Sequence, residues 1–81
     1  MAEEVVKEET IEPGQKATIN AGQYDKTHKP PFFEIRVTPK HKAGQVEWRE
    51  ENVGTPERYT RVYRINNNSD SIVWVELVKK L

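Results

Sequence analysis

Apolar residues in this chain recur at every second position and almost nowhere at helical spacing. Ala17, Ile19 and Ala21 alternate with Lys16, Thr18 and Asn20. Phe33, Ile35 and Val37 alternate with Glu34, Arg36 and Thr38, and Val46 and Trp48 with Gln45, Glu47 and Arg49. Successive side chains of a strand point to opposite faces, so this period describes strands with one buried and one wetted face. The best helix candidate is Ala2–Glu12, but Val5, Val6 and Ile11 do not form a 3.6-residue stripe. Turn formers fall between the alternating runs, at Pro13-Gly14, Lys29-Pro30-Pro31, Lys42-Ala43-Gly44, Gly54-Thr55-Pro56 and Asn66–Asp70. Six strands are predicted, over Glu4–Ile11, Lys16–Ala21, Phe32–Thr38, Gln45–Glu50, Tyr59–Asn66 and Ile72–Lys79.

Six short strands with frequent turns predict an all-β fold, a small single-domain antiparallel β-sandwich, with a small β-barrel as the alternative. The short loops permit hairpins throughout, whereas parallel pairing would need longer crossovers. Gly22–Pro31 is the longest connection and could carry the chain from one sheet to the other. With 81 residues there is room for one domain, residues 1–81. Within it, the acidic residues 1–12 are expected to form an edge strand or a partly mobile N-terminal segment.

A chain this short buries a limited core, so a few large side chains must dominate its stability. Trp48, Trp74, Phe32, Phe33, Tyr24, Tyr59 and Tyr63 are that stock. Thirteen basic residues balance thirteen acidic ones, which removes the global electrostatic case for nucleic acid or an anionic membrane. The charge is nonetheless blocky: residues 1–12 are acidic, 13–43 basic, 44–57 acidic and 58–81 basic. Neighbouring strands of opposite sign can match across a sheet. There is no cysteine, which excludes disulfides, thiolate metal sites and a cysteine nucleophile. No apolar run approaches a membrane span, and Ala2-Glu-Glu-Val-Val-Lys-Glu-Glu9 is not a secretory leader. The default expectation is a cytoplasmic protein.

The last strand carries the leading functional feature. In Ile72-Val-Trp-Val-Glu-Leu-Val78 one face presents Val73, Val75 and Leu77, and the other Ile72, Trp74 and Val78, interrupted by Glu76. A sandwich strand needs only one apolar face. The second is either covered by another part of the chain or meets a partner, and Trp is favoured at interface centres because one rigid side chain delivers much buried area. Ile72, Trp74 and Val78 are therefore the predicted protein interface, for a second copy or another protein, with strand addition alongside as a further mode.

A second set is aromatic and basic. Tyr59, Arg61 and Tyr63 share one face of the fifth strand, and the loop before Pro30 supplies Tyr24. Rings beside Arg can stack bases or sugars, so these four residues form a candidate ligand face for glycan or single-stranded nucleic acid. Zero net charge argues against the nucleic acid. The competing reading packs the tyrosines at a sheet rim and pairs the arginines with nearby glutamates.

The remaining features carry less. His28 near Asp25 and His41 between two lysines read as solvated loop histidines, so no metal site and no cofactor is expected. Two serines inside a turn, clustered glutamates without a cleft and scattered glycines give no catalytic constellation. Asn67-Asn68-Ser69 matches a glycosylation sequon but reads better as a turn. The sequence thus predicts a non-enzymatic protein-interaction module. The alternatives are a glycan- or nucleic-acid-binding module, or a structural domain of a larger assembly.

Overall fold

A computed structural model describes residues 2–81. It contains six strands, β1 (Glu3–Ile11), β2 (Lys16–Asp25), β3 (Phe33–Thr38), β4 (Val46–Thr55), β5 (Arg58–Asn67) and β6 (Val73–Lys80). A short 3-10 helix, Lys40–Gln45, joins β3 to β4. The strands form two antiparallel three-stranded sheets, ordered β1-β6-β3 (sheet 1) and β2-β5-β4 (sheet 2). The fold is an all-β sandwich, and no barrel closes. No helix among the described residues is long and apolar enough to cross a membrane.

Of all the neighbours in sequence, only β4 and β5 pair as a hairpin; every other connection passes from one sheet to the other. The chain therefore winds around the core, and the central strands β5 and β6 are each flanked by strands made much earlier or across a turn. Two observed strands are longer than the alternation implied. β2 continues to Asp25 through an irregularity between Asn20 and Gln23, where Gly22 adopts φ +106°. Such a bulge resets which side chains point inward, which hides the strand's second half from a period-two count. β4 runs on to Thr55, so the hairpin turn is only Pro56-Glu57. Gly54 has φ +131°, and a Cβ there would lie 2.6 Å from the Arg58 carbonyl oxygen, so glycine is required on both counts.

The core sits between the sheets. Val73, Val75 and Leu77 of β6 meet Tyr63 and Ile65 of β5, with Ile11, Ile19 and Val46 closing the same cluster. All eight are buried, and Phe33 adds an edge-on contact to Tyr63 at 5.9 Å. Two polar side chains, Asn67 and Ser69, are buried beside this core. Asn67 is fully buried and donates to the Ile11 carbonyl (2.9 Å) and the Ser71 carbonyl (2.8 Å). Its Oδ1 accepts from the Ser69 amide (3.0 Å) and hydroxyl (2.7 Å). With both donors and the acceptor used, one side chain ties the end of β1 to the β5–β6 loop at no unsatisfied cost.

Candidate functional site

Because Val73, Val75 and Leu77 face the core, Trp74, Glu76, Val78 and Lys80 face outward on the middle strand of sheet 1. Register places Thr10 of β1 and Thr38 of β3 on either side of Trp74. Neither threonine is long enough to cover an indole, and Trp74 remains 42% exposed, with Ile72 just before the strand at 55%. The two form an apolar patch at one end of the sheet's outer face.

Val78 does not belong to that patch. Alternation groups it with Ile72 and Trp74, but it is fully buried and lies outside the inter-sheet core cluster. The cause is the neighbouring strands. Val5 and Glu34 stand opposite Val78, Glu3 stands opposite Lys80, and Arg36 opposite Glu76. The Arg36 guanidinium reaches Glu3 at 2.7 Å, a line that runs diagonally across β6 at Val78. Arg36 also bonds Glu34, and Lys80 bonds Glu3. Long side chains with apolar stems and paired charged ends thus roof the valine. Hydrogen bonds from Arg36 and then Lys80 hold the Glu3 carboxyl down to about 2.

The second predicted set is brought together, but on the inner face of sheet 2. Tyr59, Arg61 and Tyr63 point the same way along β5, and Tyr24 lies opposite Tyr59 with ring centroids 6.4 Å apart. Tyr63 is core, only 2% exposed, and its hydroxyl donates to Glu50 Oε1 at 2.9 Å. Burial pushes its phenol pKa up. Arg61 donates through Nη1 to the same Glu50 oxygen (2.8 Å) and through Nε to Asn52 (2.6 Å). The Tyr24 hydroxyl donates to the Ala21 carbonyl at 2.7 Å. Most of the polar valence that would recognise a base or sugar is therefore spent inside the protein. Tyr59 and Tyr24 keep partly exposed rings, whereas Tyr63 offers no free face.

Other candidates resolve into local structure. Asp25 Oδ1 accepts from the Thr27 and His28 amides and the Thr27 hydroxyl, which closes a turn and holds its carboxyl down to about 2. His28 lies 3.3 Å from the same oxygen. Among the described residues no three His, Asp or Glu side chains converge as a metal site. The side chain of Asn67, the acceptor of the sequon, is the buried tether already described, so the motif is a folding element.

The roof over Val78 and the tether at Asn67 were both missed by alternation. Each depends on which strand lies beside which, and no local signal in β6 or β5 announces that. Comparison of the chain with protein-family models, with curated proteins and with solved structures finds no match. Function is therefore read from these surfaces alone.

Proposed function

We propose that this protein is a non-enzymatic interaction module that binds another protein, in the simplest case a second copy of itself, through the outer face of sheet 1. One observation carries the reading: Trp74 stands on the central strand, pointing to solvent, with Ile72 beside it and only Thr10 and Thr38 around it. Elsewhere on the two outer faces the buried apolar residues of the central strands, Val78 and Val62, are flanked by charged side chains that pair with one another. A large aromatic left uncovered on the central strand, on a face that seals the other apolar residue of that strand, is the composition of an interface centre. The contact is assigned to Ile72 and Trp74, without Val78.

The test is solution mass by light scattering over a hundredfold concentration range, on the wild type and Trp74→Glu. The expected result is association by the wild type and a monomeric, folded variant. If the wild type stays monomeric, immobilised protein with and without the substitution assays a different partner. A variant that unfolds would assign Trp74 to the core and end the proposal.

A further inference from the structure

The two sheets part at the end where β6 finishes and β3 begins, leaving an open groove of about 390 Å³ between them. That volume falls in the range of small-molecule sites. Its apolar lining comes from both sheets, with Val6 and Phe33 on one side and Ala21 on the other. Tyr24 forms a wall. Its hydroxyl is tied back to the Ala21 carbonyl, which lays the ring over Gly22, where a Cβ would sit 3.2 Å from the hydroxyl oxygen. The glycine and the bulge it permits are thus what give the ring its place.

Two cations share this mouth. The register shift between Val5 and Lys7 places Lys7 opposite Leu77 and Glu4 opposite Lys79, so both lysines stand at inward-facing positions on neighbouring strands and line the groove. Among the described residues neither lysine makes an ion pair, nor does Glu4. The two lysines stand diagonally across the β1–β6 pair, each with its ammonium group uncommitted, and an anion held between them gains charge-assisted hydrogen bonds from both. We infer that the inter-sheet groove binds a small amphipathic carboxylate, its apolar body against Val6, Ala21, Phe33 and the Tyr24 ring, and its carboxylate between Lys7 and Lys79. The site is separate from the Trp74 surface and does not depend on it.

The test is an amide NMR titration of the full chain with 2-naphthoate, alongside the neutral 2-naphthylmethanol and a Lys7→Gln/Lys79→Gln variant. Both lysines sit at the rim, so the variant should melt as the wild type does. Expected are saturable shifts at Val6, Ala21, Gly22, Tyr24 and Phe33, with binding weakened about tenfold in the double variant as the charge-assisted contacts are lost. The alcohol should bind correspondingly more weakly. Absence of saturable shifts at the groove, equal binding of the alcohol, or an unaffected double variant would each overturn the assignment.

Discussion

Val78 and Trp74 point to the same side of the same strand, yet one is sealed from water and the other stands nearly half in it. The difference lies in the residues on either side. Beside Val78 the flanking strands contribute Glu34 and Val5, with Arg36, Glu3 and Lys80 close enough to bridge over the top. Beside Trp74 they contribute two threonines. An apolar residue on a solvent face is covered when its neighbours have long stems and complementary ends, and left bare when they are short. Burial on this face is therefore set across strands and hardly at all along β6.

The comparison breaks first at Val78. Val78→Asp places a carboxylate beneath the roof, beside Glu34, and should cost about 3 kcal/mol or more in urea denaturation. A change below about 1 kcal/mol would mean the roof is open in solution. Trp74→Glu makes an equally drastic chemical change four positions earlier but should cost about 1 kcal/mol or less, because its new carboxylate reaches water. The same sample should show association lost. A third variant sharpens the idea by transplanting the cover: Thr10→Lys with Thr38→Glu supplies long, opposite charges on both sides of Trp74. Stability should rise by a few tenths of a kcal/mol, roughly that of an exposed cross-strand pair, and self-association should fall.

The smallest expected effect is in acid. Glu3 titrates at about 2 in the folded protein against an ordinary 4.5, so its contribution is complete above pH about 4.5 and is lost as pH falls toward 2. Glu3→Gln should flatten that part of the stability profile. Asp25, lowered to about 2 from 3.8 by its own turn, leaves a residual slope in the variant. A profile identical to the wild type would disconnect Glu3 from the roof.

The contrast also marks what the sequence could reveal. Period-two alternation located all six strands and the inward row Val73, Val75 and Leu77, because inward and outward positions are a local property of a strand. It places Tyr59, Arg61 and Tyr63 on one face correctly, and the competing reading that pairs the arginines with nearby glutamates is the one Arg61 follows, on Glu50; that the face looks inward, with Tyr63 in the core, is not a local property of β5. It ends β2 at Ala21, since the Gly22 bulge breaks the count, and β4 at Glu50, since apolar alternation fades before the turn formers Gly54-Thr55-Pro56, the first two of which are in fact strand. The neighbours of Val78 were out of reach altogether. Val5 and Arg36 lie in different strands, and only the order β1-β6-β3 brings them together.

That order has a bearing on how the chain acquires its shape. The middle strand of sheet 1 is β6, the last of the six, so β1 and β3 have no sheet partner until nearly the whole chain exists. Non-local pairing of this kind slows folding and leaves strand edges waiting for a mate. β1 waits with Glu3, Glu4, Glu8 and Glu9 along it, a run of like charge that discourages pairing with another nascent chain. The acidic run of β1 is thus placed on the strand that waits longest for its partner, where like charge disfavours a wrong pairing.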